Sequence, residues 1–235
     1  MKKMKVEGKC YYCKEKYSEN SISRHLSTHL KTFEKEKLSN KKSYHIKIKG
    51  GKVYFLHLLI SEDQILEDLD CYLREIWLEC CGHLSSFEIK GTRGLNNWLL
   101  DRNEYGMDTN TKIGDLFKKG LKLNYKYDFG STTCLEINIV NEYSIEDEEK
   151  ILLLSRNEPL KNLCDLCQEK SAHVLCLMWH ENETMFCNSC KKYHSKKCSE
   201  FTEYGEVKIV NSPRMGVCVY EGGTIDIKRD GVWKK

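Results

Sequence analysis

One stretch, residues 164–198, constrains the fold of this chain more than any other part. Its sequence is CDLCQEKSAHVLCLMWHENETMFCNSCKKYHSKKC, with six cysteines and three histidines. Two Cys-x2-Cys pairs, Cys164/Cys167 and Cys187/Cys190, stand 19 residues apart. Paired thiolates at such spacing are typical of a tetrahedral zinc site that stabilises a small fold. We therefore expect this segment to fold around a zinc ion that these four cysteines hold.

The other metal-ligand types in the stretch interleave with these pairs. Cys176-x3-His180 and His194-x3-Cys198 predict a second zinc site, in the cross-braced arrangement of B-box-like modules. His173 is an alternative to His180 as a ligand, and either imidazole could simply be solvated. Four protein ligands leave no position for an activated water, so both sites are expected to supply folding energy and not catalysis.

A separate ligand set lies near the amino terminus. The pattern is Cys10-x2-Cys13-x11-His25-x3-His29. A hairpin would supply the two thiolates, and one helical turn would separate the two imidazoles, which suits tetrahedral zinc. The gap before the first histidine is one residue shorter than the common twelve, so a tighter turn is expected. The pattern predicts a zinc finger and brings the expected total to two or three zinc ions.

Sequence-specific reading of DNA is not expected from this finger. Its base-facing positions would be Ser18, Ser21 and Arg24, and only arginine is a strong reader of bases. One finger covers about 3 bp, and no second finger follows in tandem. Non-specific phosphate contact is expected instead, through Lys14, Lys16, Arg24 and Lys31.

Charge is distributed unevenly along the chain. Residues 1–52 contain 15 Lys and Arg against 5 Asp and Glu, a net charge of +10. Residues 53–163 have a net charge of −8, and residues 164–235 of +1. A basic arm beside an acidic body indicates contact with nucleic acid, DNA or RNA. Two alternatives are that the arm is only solvated, or that it docks on the acidic body of its own chain.

The middle of the chain predicts an α+β domain with an antiparallel sheet packed against helices. SYHIKIKG and KVYFLHLLI are expected strands around a Gly50-Gly51 turn, and HLSSFEIKG is a further strand. LKLNYKY and TTCLEINIV alternate like paired strands joined by DFGS. Ser61 and Gln64 form a capping-box pattern before a helix. IGDLFKKG predicts a short helix that ends at Gly120, and IEDEEK an acidic, helical link.

Three domains follow from these patterns. Residues 1–42 form the zinc finger and a basic linker, residues 43–160 the α+β domain, and residues 161–235 the second zinc module with its tail. The basic start, MKKMKVEGKC, is not followed by an apolar stretch. The longest apolar run, Val53–Ile60, is too short to span a bilayer. We expect a cytoplasmic protein with reduced thiols, no membrane contact and no organic cofactor.

Several stretches resemble the plasmid pRiA4b open-reading-frame-three-like family, which is also catalogued as transposon-passenger TnpR-like. They are VYFLHLLI, LEDLDCYLREIWLECCGHLSSFEI and YKYDFGSTTCLEINIV, and NSPRMGVCVYEG is similar to the tail of a zinc-bearing branch. The resemblance covers roughly residues 45–225 and implies the same α+β fold without implying an activity. Where many members carry an acidic residue, Trp and His after YDFG, this chain has Ser131, Thr133 and Leu135.

The residues leave an enzyme as the alternative hypothesis. Cys81 and His83 could form a nucleophile and base, with Asp128 nearby at a strand turn. The structural alternatives are a buried thiol and an aspartate that caps its turn. Cys218 is left over, either as a replacement metal ligand or as a core thiol. The favoured hypothesis is a non-catalytic zinc protein that contacts a macromolecule, with nucleic acid first and a protein partner or scaffold role second.

Overall fold

The computed structural model describes residues 6–90, 102–103, 106–178 and 184–225. The chain divides into two compact units, of which the first comprises Met1–Arg74 and His83–Glu158. The second unit comprises Glu75–Gly82 and Pro159–Lys235. The described residues form an α+β structure with antiparallel sheets and few helices, as the sequence predicted. None of the described helices is long and apolar enough to cross a membrane.

The first unit begins with a small ββα element. Strands β1 (Glu7–Lys9) and β2 (Lys16–Ser18) pair antiparallel and are followed by helix α1 (Glu19–Glu36). Cys10 and Cys13 lie in the turn between the strands. Ile22, Leu26 and Leu30 recur every four residues on α1 and are completely buried. This periodicity gives the helix one apolar face, which it must bury against another element.

A six-stranded antiparallel sheet forms the body of the first unit. Its elements follow in the order β3 (Ser43–Gly50), β4 (Tyr54–Ser61), α2 (Leu66–Leu73), β5 (Ser85–Ile89), β6 (Arg102–Asn103), β7 (Gly106–Met107), α3 (Ile113–Leu116), β8 (Lys122–Tyr127), β9 (Thr133–Tyr143) and β10 (Ile151–Arg156). The strand order in the sheet is β10-β4-β3-β9-β8-β5, and β6 and β7 pair separately. The predicted hairpin is confirmed, with Gly51 at its turn in the left-handed region (φ +62°).

The sheet is covered on both faces. The buried face of α1 packs in one cluster with Phe55 and Leu59 of β4 and with Leu152 and Leu154 of β10. The opposite face meets the other helices. Tyr125 of β8 donates a hydrogen bond to Asp70 of α2 over 2.6 Å, and the ring of Tyr44 contacts Phe117 after α3.

Three local predictions differ from the structure. Helix α2 begins at Leu66, and the Asp68 carboxylate accepts the Ile65 N–H over 3.0 Å, so Ser61 and Gln64 do not form its capping box. Helix α3 ends at Leu116, before Gly120. IEDEEK is irregular and not helical, because the apolar residues that follow it pair with β4 as strand β10.

The predicted boundary at residues 42 and 43 does not separate two compact units. Residues on both sides of it belong to the first unit, since α1 packs on the sheet. The boundary predicted near residue 160 lies close to the start of the second unit's main segment at Pro159.

The second unit is built on a three-stranded antiparallel sheet. Its elements are β11 (Val174–Cys176), β12 (Met185–Phe186), α4 (Asn188–His194) and β13 (Glu206–Lys208), with strand order β12-β11-β13. π-helical turns span Arg74–Leu78 and Phe201–Gly205. Its core cluster contains few apolar side chains besides four buried cysteines, namely Cys164, Cys176, Cys187 and Cys198.

Candidate metal centres

The four predicted finger ligands converge. Their ligand atoms all lie within 4.8 Å of one another. His25 Nε2 is 3.2 Å from His29 Nε2 and 3.2 Å from Cys13 Sγ. Two nitrogens bound tetrahedrally to one zinc ion at about 2.0 Å stand about 3.3 Å apart. A hydrogen bond between the imidazoles would explain one of these distances, but not the convergence of two thiols on the same point.

Aromatic rings hold the two imidazoles in place. Tyr17 stacks on His25 at a centroid distance of 3.9 Å, and Tyr12 lies 5.2 Å from His29. Burial, followed by the neighbouring His29, lowers the pKa of His25, which favours the neutral imidazole that metals require. Burial raises the pKa of the Cys10 thiol. A divalent cation would counter that effect, because it binds and stabilises thiolates.

The two Cys-x2-Cys knuckles of the second unit also meet. Cys164, Cys167, Cys187 and Cys190 form a group whose sulfurs lie within 4.8 Å of one another. Cys187 Sγ accepts the backbone N–H of Cys190 over 3.5 Å and so caps α4. Backbone amides lower the pKa of Cys167 to about 6, whereas burial raises that of Cys190 to about 12. Four cysteine sulfurs this close could hold a metal ion between them.

Asp165 fastens the first knuckle to strand β12. Its backbone N–H donates to the Met185 carbonyl over 2.8 Å. Its carboxylate Oδ2 accepts the backbone N–H groups of Thr184 and Met185 over 2.9 and 2.7 Å. These contacts join the first knuckle to the chain that leads into the second. Sequence analysis did not single out this residue, because nothing in the spacing of one aspartate between two cysteines indicates its partner.

A third group contains Cys176, His194 and Cys198, all buried. Phe186 stacks on the His194 ring at 4.1 Å, and Phe201 meets that ring edge-on at 5.0 Å. The fourth predicted ligand, His180, lies outside the described residues. His173, the alternative, is exposed and does not belong to the group. The grouping matches the interleaved order expected from the sequence.

Eleven of the twelve predicted metal ligands are described, and they fall into these three groups. The groups could hold metal ions, and the identity of the metal stays a prediction. All thirteen cysteines of the chain are described, and none of them forms a disulfide. This state leaves the sulfurs available as ligands.

The four predicted phosphate-binding residues have different surroundings. Lys16 pairs with Glu158 over 2.6 Å, and Lys14 lies over the Tyr11 ring at 4.5 Å. Arg24 and Lys31 are exposed on α1. The proposed base-facing residues Ser18 and Ser21 instead bond to each other, with 2.8 Å between their hydroxyl oxygens.

Part of the basic arm docks on carboxylates of the same unit. Lys41 bridges Asp63 and Glu146 at 2.9 and 3.1 Å. Lys47 and Lys49 both pair with Glu19, at 3.0 and 2.8 Å. The Lys41 contacts support the alternative of an arm that docks on the acidic body of its own chain, whereas Glu19 belongs to the basic segment itself. Both sets of contacts partly neutralise the charge of that segment.

The exposed side of α1 keeps its positive charge. We call it the α1 face, and between residues 20 and 35 it consists of Asn20, Ser21, Arg24, Thr28, Lys31, Thr32 and Lys35. It carries three cations, three hydroxyl groups and one amide; Glu36, the last residue of α1, is exposed as well. Sequence analysis missed Lys35, although its four-residue spacing from Lys31 places it on the same side of a helix.

The residues named for the enzyme alternative belong to both units. Asp128 adopts φ +65°, and its Oδ1 accepts the N–H groups of Gly130 and Ser131 over 2.9 and 3.2 Å. This is the turn cap expected as the structural alternative. Its Oδ2 lies 3.6 Å from His83 Nε2. Cys81 belongs to the second unit, is exposed, and has a pKa raised by hydrogen bonding with Cys80, the opposite of nucleophile activation.

The fold and the sites thus define an α+β protein with Cys/His clusters that could hold metal ions. No known protein-family model matches the sequence. No curated protein matches it either. Among solved structures, it is similar to a protein of unknown function from Methanosarcina mazei Go1, with a TM-score of 0.39 and 17% identity. That match covers 49% of this chain and 67% of the other chain, and a score this low carries no argument. The resemblance to the pRiA4b-like family stays a prediction.

Proposed function

We propose that this chain is a non-catalytic zinc protein that uses its zinc finger to bind the phosphate backbone of nucleic acid. One observation carries the proposal. The helix that supplies His25 and His29 to the finger's ligand group also bears the cationic α1 face on its exposed side. Thiolate ligands require a reducing compartment, such as the cytoplasm.

Zinc supplies folding energy in this proposal. The finger and the knuckle group each offer four protein ligands, which fill a tetrahedral shell and leave no position for water. The finger ion would fix the position of α1 relative to its hairpin. The α1 face would then be presented in one orientation, which lowers the entropy lost on binding.

The α1 face suits phosphate better than base edges. Arg24, Lys31 and Lys35 stand four or seven residues apart, so they lie along one side of the helix. Arginine and lysine contact phosphates without regard to sequence, and hydroxyl side chains add hydrogen bonds to phosphate oxygens. Ser18 and Ser21 are hydrogen-bonded to each other, so only Arg24 of the three base-facing positions is available to contact a base. We therefore expect weak, sequence-independent binding.

Metal content tests the first half of the proposal. Protein purified without added metal should contain two or three zinc ions per chain by elemental analysis. Cys13→Ser should lose one of them. Cys134→Ser, which changes an exposed thiol outside the three groups, should lose none. Equal metal content in the two variants would contradict the finger site.

Duplex binding tests the second half. The triple variant Arg24→Ala/Lys31→Ala/Lys35→Ala should weaken binding of a labelled DNA duplex in fluorescence anisotropy. The logarithmic salt slope should fall by about 0.9 for each phosphate that the variant no longer neutralises, or about 2.7 in total. The matched control is Lys112→Ala/Lys118→Ala/Lys119→Ala, which removes the same charge from other exposed positions of the first unit. A flat salt response of the wild-type protein, or equal weakening in both variants, would remove nucleic acid from the proposal.

A further inference from the structure

Helix α4 carries an exposed aromatic ring among lysines in the second unit. Its inward residues are metal-ligand candidates, with Cys187 and Cys190 in one group and His194 in the other. Exposed residues on the second half of the helix and just after it are Lys192, Tyr193, Lys196 and Lys197, which we call the α4 face. Tyr193 is 52% exposed, and Lys197 Nζ lies 4.4 Å from the centroid of its ring. The ring is therefore accessible to a partner and lies beside a cation.

The charged residues of the α4 face are all lysines, although Glu200, just beyond it, is exposed as well. Residues 184–199 contain four lysines and no aspartate or glutamate. Lys191 pairs with Glu206 inside the unit. Among the residues that the structure describes, no carboxylate lies within ion-pair distance of Lys192 or Lys196. The α4 face therefore complements an anionic partner.

Residues of the two ligand groups hold both ends of α4, the helix that carries Tyr193. Cys187 caps the start of α4, and His194 at its end is stacked on Phe186. The backbone N–H of Cys198 donates to the His194 carbonyl over 3.0 Å, so the chain beyond the helix is held as well. A partner that stacks on Tyr193 would lose little entropy by ordering this segment.

We propose that the α4 face binds single-stranded nucleic acid, with an unpaired base stacked on Tyr193 and the adjacent phosphates beside Lys192, Lys196 and Lys197. Cations that follow a backbone and an aromatic ring that stacks a base are the two elements of single-strand recognition. In a duplex the base faces are stacked on one another, so no base face is available to stack on Tyr193. An acidic protein segment would use the lysines but would not require a flat ring. The proposal goes beyond duplex binding by α1, because it concerns other residues and another form of nucleic acid.

The test uses the full-length zinc-loaded chain and a labelled 12-nucleotide oligothymidylate. Tyr193→Ala should weaken binding by about 5- to 150-fold, since stacking of one base contributes about 1–3 kcal/mol. Tyr193→Phe keeps the ring and should keep the affinity. Both variants change an exposed side chain, and unchanged zinc content confirms that each is folded. Failure of the wild-type chain to bind the oligomer, or equal affinity of wild type and Tyr193→Ala, overturns the proposal.

Two further measurements separate this site from the α1 face and from simple charge. Lys192→Ala/Lys196→Ala/Lys197→Ala should lower the salt slope for the single strand by about 0.7 for each phosphate that these lysines neutralise, or about 2.1. The α1 triple variant should lose duplex binding and keep the effect of Tyr193→Ala on the single strand. If polyglutamate binds the wild type as tightly as the oligomer does and Tyr193→Ala changes neither affinity, the α4 face is a site for acidic protein and the proposal is wrong.

Discussion

Tyr11 donates its backbone N–H to the carbonyl oxygen of Leu154 over 2.8 Å. Leu154 lies in β10, an edge strand of the six-stranded sheet. Gly8 forms a bridge with Asn157, and the N–H of Glu158 donates to the Glu7 carbonyl over 2.7 Å. The finger hairpin is thus hydrogen-bonded to the sheet edge, which would otherwise expose unpaired backbone groups. The ββα element with its Cys/His group is thus part of the first unit's fold.

Loss of the finger metal should therefore loosen the sheet edge. We expect Cys13→Ser to increase hydrogen exchange at the amides of β10, because the hairpin that covers that strand loses its cross-link. The measurement is amide exchange by mass spectrometry on peptides that cover Ile151–Arg156. Cys134→Ser is the control and should leave exchange unchanged. Identical exchange in the two variants would show that the hairpin stays ordered without metal.

Gly8 should not tolerate a side chain. A Cβ atom at this position would lie 2.7 Å from the Arg156 carbonyl oxygen and 2.7 Å from Phe55 Cζ. Backbone cannot yield as a flexible side chain does, so Gly8→Ala should cost about 1–3 kcal/mol in the free energy of unfolding. Denaturant unfolding measures the effect. Gly130→Ala is the control, since its nearest contact would be at 3.4 Å. Equal stability of the two variants would mean that the hairpin does not dock at Gly8.

A buried histidine pair should make stability depend on pH. His45 Nε2 and His57 Nδ1 lie 2.9 Å apart, and their other ring nitrogens are buried without a hydrogen-bond partner among the described residues. Burial lowers the pKa of His45 to about 3, and burial, His45 and Lys47 lower that of His57 well below its usual value. The unfolded chain takes up protons near pH 6.5, whereas the folded chain does not.

The free energy of unfolding should consequently have its full value above about pH 6.5 and should fall as the pH decreases below that value. Each histidine contributes a slope of up to about 1.4 kcal/mol per pH unit between the unfolded and folded pKa values. The double variant His45→Gln/His57→Gln should have a shallower slope between pH 6.5 and 5 in denaturant unfolding. It retains every metal ligand, so the difference in slope isolates the pair. The same slope in both proteins would contradict the assignment.

Asp165 should matter for metal retention in the second unit. Asp165→Ala removes the acceptor of two backbone N–H groups that lead into β12, and hydrogen bonds to a charged group contribute about 1.5–3 kcal/mol. We expect faster zinc release to a chromophoric chelator. Asp165→Asn retains an oxygen acceptor, so its rate of zinc release should lie between those of Asp165→Ala and the wild type. Release at the wild-type rate from Asp165→Ala would show that the knuckles hold without this link.

Local patterns in the sequence predicted much of the fold and of the ligand groups. Alternating residues located β8 and β9, and the Gly50-Gly51 turn between two strand-like runs located β3 and β4, because these signals are encoded by neighbouring residues. Cysteine and histidine spacing predicted which ligands would meet. Sequence patterns that are compatible with two local structures led to wrong predictions. Ser61 and Gln64 suit a capping box, yet Asp68 accepts the Ile65 N–H, and IEDEEK suits a helix although the strand after it leaves it irregular.

The spacing of cysteines and histidines determined by itself which side chains could share a metal ion, because the reach of a knuckle or a helical turn is fixed by local geometry. Only the tertiary structure decided which side of the finger helix is buried and which side is exposed. The sequence shows Ile22, Leu26 and Leu30 as one apolar stripe but not the surface that covers it. That surface is supplied by strands 20 or more residues away in sequence, and burying the stripe there turns Arg24, Lys31 and Lys35 outward.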